Sequence, residues 1–377
     1  MARRLKVGLA FDDSLDRPDG VQQQLKLLGS WLASNGCEVV YLAGETKAKQ
    51  IKGQKVYSLS RNFSIHANQN KLSLPRPVSL ARVEAIFESE KFDAVHITLP
   101  FSPFLGRQIV RTALKRNIPL IGTFHTFPAS RLQAWGSRMY GLWLKRYLKR
   151  FSSLTSVSEP TGQYARRCFG VNTVVIPNFI DLKRFQSGRS SAKIKRGLDT
   201  VIYLTRLVER KGPHHLLAAV GNLEAQGRFT GRQLLLCGKG EMDARLRAAT
   251  IRLKLTGKVL MPGFIDETNK ADYLASADLA VYPATGGEAF GIVLLEAMAA
   301  GALVLGGNNP GYQAVLGGQP VLLVDTTNHK LFAEKIDRLL SDNKLRKQML
   351  AWQNQHVEQY DISQVGPQIL KLYQQKP

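Results

Sequence analysis

Short apolar runs alternate with amphipathic helical patterns along nearly the whole chain, and the alternation starts afresh near its middle. That pattern predicts parallel α/β architecture, in which each buried strand is followed by a helix that returns the chain to the sheet. Residues 6–11 read as a first strand and 20–34 as the helix after it. Residues 38–42, 94–99, 119–123 and 173–176 continue an N-terminal sheet, with helices expected over 102–116 and 160–169. A basic, Ser-rich stretch at 187–196 precedes a second series. This series has strands at 200–204, 233–236, 259–261, 279–282 and 303–305, with helices at 213–225, 242–255 and 292–300. The segment after Asn328 reads as purely helical. Two such sheets, joined near 178–196, are expected to face a central cleft at the carboxyl ends of their strands.

Length and composition fit that reading. At 377 residues the chain is long for one core, and 44% hydrophobic against 21% charged residues excludes a disordered or collagenous chain. Cys37, Cys168 and Cys237 are too widely spaced for a disulfide framework or a zinc site, which points to a reducing compartment. The start, Met1-Ala2-Arg3-Arg4-Leu5-Lys6, resembles a signal peptide, but the apolar stretch at 7–11 runs straight into Asp12-Asp13. No segment approaches the roughly 20 apolar residues that span a bilayer. A cytoplasmic protein, soluble or peripheral on the inner face of the cell membrane, is expected.

Charge narrows the class of partner. Lys and Arg total 52 against 29 Asp and Glu, a net +23 that favours polyanions: nucleic acid, an anionic membrane or phosphorylated substrates. No carboxylate occurs between Asp93 and Glu159, whereas Arg107, Arg111, Lys115, Arg116, Arg131, Arg138, Lys145, Arg146, Lys149 and Arg150 all fall there. Wound as a helix, residues 131–151 place Arg131, Arg138, Lys145 and Lys149 in one stripe beside Leu132, Trp135, Met139 and Trp143. A basic stripe flanked by tryptophans suits an anionic headgroup layer. The alternative is a helix packed on the sheet with its charges in water. A nucleic-acid-binding protein is a rival of another class, but helix-turn-helix, zinc and RNP motifs are lacking and nucleic acid is not expected.

Three constellations carry chemistry. The first strand-to-helix junction reads Pro18-Asp19-Gly20-Val21-Gln22, where glycine admits a ligand close to backbone and the helix start offers unpaired N–H groups. Such a turn is also ordinary structure, and the three-glycine dinucleotide fingerprint is absent. More specific is Gly286-Gly287-Glu288-Ala289-Phe290-Gly291-Ile292 running into Val293-Leu294-Leu295-Glu296. One carboxylate stands on a glycine-bounded loop and the other on the following helix, suited to paired hydrogen bonds from vicinal diols. The amides of Gly291 and Ile292 would face a pyrophosphate. Upstream, Arg206 and Lys211 follow the first strand of the second sheet, where two cations can neutralise a diphosphate leaving group. Solvated charges in a turn are the alternative there.

Together, Arg206/Lys211 and the Glu-x7-Glu pair Glu288/Glu296 resemble the retaining GT-B glycosyltransferases that use nucleotide-diphosphate sugars. The likeness extends to Asp93-Ala94-Val95-His96, Thr123-Phe124-His125-Thr126, Ile176-Pro177-Asn178, Gly238-Lys239-Gly240 and Met261-Pro262-Gly263-Phe264. Within that family the chain resembles bacterial phosphatidylinositol mannosyltransferases and related lipid glycosyltransferases. The resemblance implies a GT-B fold of two Rossmann-like domains: an acceptor-side domain at 1–178, a nucleotide-sugar domain at 179–358, and a C-terminal helix at 359–377 returning to the first. It implies His125 beside the transferred sugar, Gly20 against the donor and Gln22 on the acceptor side. Arg206 and Lys211 would hold the diphosphate, with Gly291, Ile292, Val293, Leu294 and Leu295 at the helix start behind it. Glu288 would take the sugar hydroxyls and Glu296 the ribose, while Ile265, Asp266, Glu267 and Lys270 line the base.

The implied reaction moves a hexose from a GDP- or UDP-linked donor to a hydroxyl acceptor with retention. No cofactor and no metal are needed, because Arg and Lys take the metal's role. The expected acceptor is a membrane lipid at the cytoplasmic surface; a soluble sugar or small acid is the alternative. The chain departs from the family at Asp19-Gly20, where Gly-Gly is common, in residues 11–16, and at Phe179, which replaces a common glycine.

Overall fold

The computed structural model describes residues 3–16, 19–67, 70–128, 130–189, 194 and 197–375. Pro18 of the first turn and residues 190–193, 195 and 196 of the basic stretch lie outside them. The chain divides into one unit of Met1–Phe179 with Ile362–Pro377 and a second of Ile180–Asp361. Among the described residues, the parallel sheets and the two-series organisation read from the sequence are present.

In the first unit the elements run β1 (Lys6–Phe11), α1 (Gly20–Ser34), β2 (Glu38–Ala43), β3 (Gln50–Ile51), β4 (Gln54–Ser58), β5 (Asn62–Ala67), β6 (Asn70–Pro75) and α2 (Leu80–Glu90). They continue with β7 (Ala94–Leu99), α3 (Leu105–Lys115), β8 (Leu120–Phe124), α4 (Arg131–Leu148), β9 (Ser153–Ser156), α5 (Glu159–Phe169) and β10 (Val174–Val175). The sheet order is β10-β9-β8-β7-β1-β2-β4-β3, parallel except for the β3–β4 pair, while β5 and β6 form a separate antiparallel pair. The central strands β7 and β8 are buried along their whole length, which is why they read as continuous apolar runs.

Helix ends follow local chemistry. Ser158 caps α5 by accepting from the Thr161 amide, Pro160 occupies its first turn, and Gly170 closes it in the left-handed region. Helix α3 starts at Leu105, not at 102, because the Ser102 amide and hydroxyl both donate to the Asp12 carboxylate.

The second unit contains α6 (Leu182–Gln186), β11 (Asp199–Leu204), α7 (Pro213–Ala225), β12 (Arg232–Cys237), α8 (Asp243–Arg252), β13 (Val259–Gly263), α9 (Lys270–Ala275) and β14 (Leu279–Tyr282). It continues with α10 (Ile292–Ala299), β15 (Leu303–Gly307), α11 (Pro310–Leu316), β16 (Leu323–Val324), α12 (His329–Ser341) and α13 (Asn343–Glu358). Its sheet runs β13-β12-β11-β14-β15-β16, all parallel. Helix α8 stops at Arg252, short of the expected 255, because the chain turns back through Lys254 at φ 56°.

The last helix, α14 (Ile362–Gln374), belongs to the first unit. It packs Val365, Ile369 and Tyr373 against Leu25, Leu28 and Leu32 of α1, and Gly366 lies flat on the Trp31 ring.

Candidate functional site

In the second unit, strand β11 ends at Leu204 and delivers the chain into a loop whose course is fixed by backbone. The Leu207 amide donates to the Lys239 carbonyl, and the Tyr203 hydroxyl donates to the Arg206 carbonyl at 2.6 Å. A single 3-10 turn, Glu209–Lys211, then aims Arg210 and Lys211 at Glu288. Lys211 Nζ lies 2.9 and 3.0 Å from the two Glu288 carboxylate oxygens, and Arg210 donates to one of them. Arg210 also reaches the carbonyls of Gly286 and Gly287 at 3.4 Å, so one guanidinium holds both the loop and its carboxylate.

Burial raises the cost of charging Glu288, but Lys211 and Arg210 outweigh it and hold the carboxyl below the usual range. Burial pulls the Lys211 ammonium below the ordinary lysine value; Glu288 opposes this, while Arg210 and Arg206 add to it. Arg206 is exposed, in contrast to buried Lys211.

Helix α10 begins beyond that loop. Gly291 sits at φ 138°, a backbone that side chains rarely adopt, and a Cβ there would meet the Tyr312 ring at 2.7 Å. Ile292 and Val293 are half-buried, whereas Leu294 and Leu295 are completely buried in the core. The side chains of those two leucines therefore pack the unit, and the Leu294 amide donates to the Gly291 carbonyl at 2.9 Å.

One turn further, Glu296 is buried with Lys270 Nζ 2.7 Å from both of its oxygens. Oε1 accepts the hydrogen bond; Oε2 is within ion-pair reach but accepts none. Burial pushes the Glu296 carboxyl up, with Lys270 only partly offsetting it. Lys270 also approaches Glu267 at 3.5 Å, and Glu267 pairs with Arg184 at 3.0 Å. Ile265 is half-buried and Asp266 exposed on the same loop. The structure thus brings Lys211 to Glu288 and Lys270 and Glu267 to Glu296, in two charge clusters, one around each glutamate. Arg210 was missed. Its signal was the charge balance, since a buried carboxylate on a glycine loop needs more than one cation.

In the first unit Gly20 is the exposed first residue of α1, and Asp19 caps the helix by accepting from the Gln22 amide at 3.0 Å. The Gln22 side chain turns inward: it is fully buried and its Nε2 donates to the Ser14 carbonyl. Gln22, expected on the acceptor side, thus holds the 12–16 loop. His125 follows β8 and is half-buried. Burial drives its imidazole down to about 4, and a hydrogen bond from the ring to the Asn178 side chain opposes that. His96, one strand over, bridges Tyr373 Oη and Thr123 Oγ1, each at 2.6 Å.

This unit also contains an open cavity of about 610 Å³ whose charged lining is Lys47, Arg61, Arg76 and Arg82 against one carboxylate, Glu45. The Asp12 carboxyl is raised by its surroundings to about 6 and accepts from the Ser102 amide and hydroxyl.

Helix α4 carries the basic stripe. Arg131, Arg138 and Lys149 are exposed, and Lys145 is half-buried with its ammonium over Gly170. Trp143 does not stand beside Trp135 as expected. It turns inward, stacked on Tyr140 at 5.2 Å and edge-on to Phe101 at 6.2 Å. The reason lies at Gly141, where a Cβ would meet the Cys168 carbonyl at 1.9 Å: that close approach to α5 fixes which face points inward. The outward apolar residues are Leu132, Trp135, Met139 and Leu142, exposed by 76, 63, 52 and 69%.

The description "Glycosyl transferases group 1" matches residues 186–351 and "Glycosyltransferase Family 4" matches residues 18–184. The phosphatidyl-myo-inositol mannosyltransferase of Mycolicibacterium smegmatis is 30% identical over 377 residues, covering 98% of this chain and 94% of the relative. A GDP-mannose-dependent monoacylated alpha-(1-6)-phosphatidylinositol monomannoside mannosyltransferase from Corynebacterium glutamicum is 24% identical over 396 residues, covering 100% of each chain. Among solved structures, Anabaena HepE in complex with UDP and glucose superposes with a TM-score of 0.76 at 18% identity, covering 98% of this chain and 99% of its own.

Proposed function

This chain belongs to the group 1 glycosyl transferases of GT-B fold, and we propose that it transfers a mannosyl residue from a nucleotide-diphosphate sugar to a hydroxyl of an anionic, phosphatidylinositol-like lipid. The observation that carries the reading is the full-length likeness to phosphatidyl-myo-inositol mannosyltransferase, combined with a Glu288 carboxylate kept ionised by Arg210 and Lys211.

In this reading the C-terminal unit binds the donor. Arg206, Lys211 and the α10 amides take the diphosphate, whose charge grows as the glycosidic bond breaks. Glu288 accepts from sugar hydroxyls. Glu296, with one oxygen free of hydrogen bonds, accepts from the ribose. Ile265, Asp266, Glu267 and Lys270 border the base, and Gly20 and His125 are the first unit's candidates for the donor phosphates and the transferred sugar.

Transfer proceeds with retention. The acceptor hydroxyl oxygen bonds to the anomeric carbon from the face the diphosphate leaves, the carbon–phosphate-oxygen bond breaks, and the hydroxyl proton passes to the departing phosphate oxygen. No step calls for a metal, because arginine and lysine stabilise the leaving group.

On the acceptor side, the arginine-lined cavity suits a lipid phosphate, and α4 offers cations and exposed apolar side chains to an anionic membrane. Among the described residues, no helix is long and apolar enough to cross a membrane. Contact is therefore proposed to be peripheral, at the cytoplasmic face.

The test is purified protein with radiolabelled GDP-mannose or UDP-glucose, phosphatidylinositol vesicles and excess EDTA, with the product anomer read by NMR. An α-mannosyl lipid supports the reading. Label transferred only to soluble sugars replaces the lipid acceptor, and an inverted product removes retention.

A further inference from the structure

We propose that Asn178 is the positioning residue for His125, and that Gln24 fixes Asn178 by clamping the backbone of the next residue. The inference rests on the reading of His125 as the residue beside the transferred sugar. It concerns the short segment Pro177-Asn178-Phe179, where the chain leaves the first unit.

The clamp is a two-point amide pair. Gln24 Nε2 donates to the Phe179 carbonyl at 2.7 Å, and the Phe179 amide donates to Gln24 Oε1 at 3.0 Å. Gln24 is 4% exposed, so both bonds form away from competing water. Phe179 adds an anchor of its own, its ring lying in the core shared by α1 and α14. A glycine at that position could not supply it. With residue 179 held at backbone and side chain, the Cα of Asn178 has little freedom. Its buried side chain lines the same small cavity as the His125 ring and favours the ring's protonated form.

These groups meet in one place. Gln24, Asn178, His125, His96 and Thr123 line a small cavity of about 30 Å³, room for about one water. His125 leaves the end of a strand into loop, so nothing in β8 itself fixes the orientation of its ring. Asn178 supplies what the strand does not. The titratable neighbour in this cavity is His96, whose two ring nitrogens are committed to Tyr373 and Thr123. The other lining groups, from α1, β8, β9, the junction and α14, carry no charge. His125 lowers the proton affinity of His96, and the Asn178 amide raises that of His125.

The experiment follows the His125 ring by NMR in the full-length protein, assigned by difference from His125→Gln, alongside mannosyl transfer. Asn178→Asp, nearly the same shape, sets a carboxylate against the ring. It should move the titration up by about one pH unit or more. Asn178→Ala and Gln24→Leu should move it down and lower kcat about tenfold, with donor KM within about twofold. A merely structural role would not shift one titration in opposite directions. If His125 titrates alike in the parent, Asn178→Asp and Gln24→Leu while all three remain folded, the proposal is overturned. If the titration moves as expected but turnover does not fall, positioning stands and the role of His125 in transfer is lost. Asn178→Asp keeps the test available even if the alanine variant fails to fold.

Discussion

The ammonium of Lys211 lies 2.9 Å from one carboxylate oxygen of Glu288 and 3.0 Å from the other, and Arg210 closes the same carboxylate from a second side. One buried anion thus organises two cations, and the loop that carries it is tied down by the same arginine. Glu288→Gln keeps the shape but removes the charge. Transfer should fall by 10²–10³, about 3–4 kcal/mol in the barrier, because an amide offers one acceptor where the carboxylate offers two. The variant should still fold but melt earlier, since Arg210 and Lys211 lose their counter-charge, at a cost of about 3 kcal/mol. Radiolabel transfer and a thermal melt check the two halves. Near-parental turnover would remove Glu288 from the site.

Arg206 and Lys211 should separate in stability while agreeing in rate. Each alanine variant should lose a few kcal/mol of transition-state stabilisation, about 10²-fold in kcat/KM. Arg206 is exposed, so Arg206→Ala should change stability by no more than about 0.5 kcal/mol. Lys211 is buried against Glu288, and its removal should lower the melting temperature as well. Rates within twofold of the parent for both would make the diphosphate assignment wrong.

Legibility in the sequence followed how local each cause was. β7 could be read because both its faces are buried and its residues say so. β9, Ser-Leu-Thr-Ser, could not: it is a strand because β8 and β10 pair with it on either side, and its own residues carry no apolar pattern. The Glu288 and Glu296 pair was legible from spacing, but Arg210 was not, since only the fold brings it to the carboxylate. In α4, Arg131, Arg138 and Lys149 of the basic stripe are exposed and Lys145 is half-buried. The exchange of Trp143 for Leu142 on that face came from the Gly141–Cys168 contact, a tertiary fact. Gln22 belonged to a recognisable segment, yet its inward turn to Ser14 depends on a loop whose sequence departs from the family pattern.

His96 gives a pH prediction. Its imidazole is buried between Tyr373 and Thr123 and held down to about 3, against an ordinary value of 6.5. The folded state therefore binds this proton less readily than the unfolded chain. The resulting stability is fully present above pH 6.5 and is lost as pH falls toward 3, at about 1.4 kcal/mol per pH unit once below 6.5. Asp12, raised to about 6 from 3.8, acts in the opposite sense over part of that window, so the parent's own slope mixes both. The comparison that isolates His96 is parent against His96→Gln in urea unfolding at several pH values. The difference in stability should shrink, or change sign, as pH drops from 7 to 4.5. A difference independent of pH would mean that His96 is not buried neutral.

The α4 surface makes two forces separable. Each cation near an anionic membrane contributes about 1 kcal/mol, screened over about 8–10 Å at moderate salt, whereas inserted apolar side chains contribute about 2 kcal/mol each regardless of salt. Replacing Arg131, Arg138, Lys145 and Lys149 by Gln should reduce flotation with phosphatidylinositol-containing liposomes several-fold at low salt and much less at high salt. Within that set Lys145 should matter least, because its ammonium folds back over Gly170 at the end of α5. Trp135→Ser with Leu142→Ser should instead remove the binding that survives high salt, since those side chains are 63 and 69% exposed. Trp143→Ser would be a poor substitute for either, as that ring supports the core through Tyr140 and Phe101. A fourfold Gln variant that floats like the parent at low salt would move the docking surface off this helix. If the serine pair also floats unchanged at high salt, α4 has no part in membrane contact, and the arginine-lined cavity becomes the place to look.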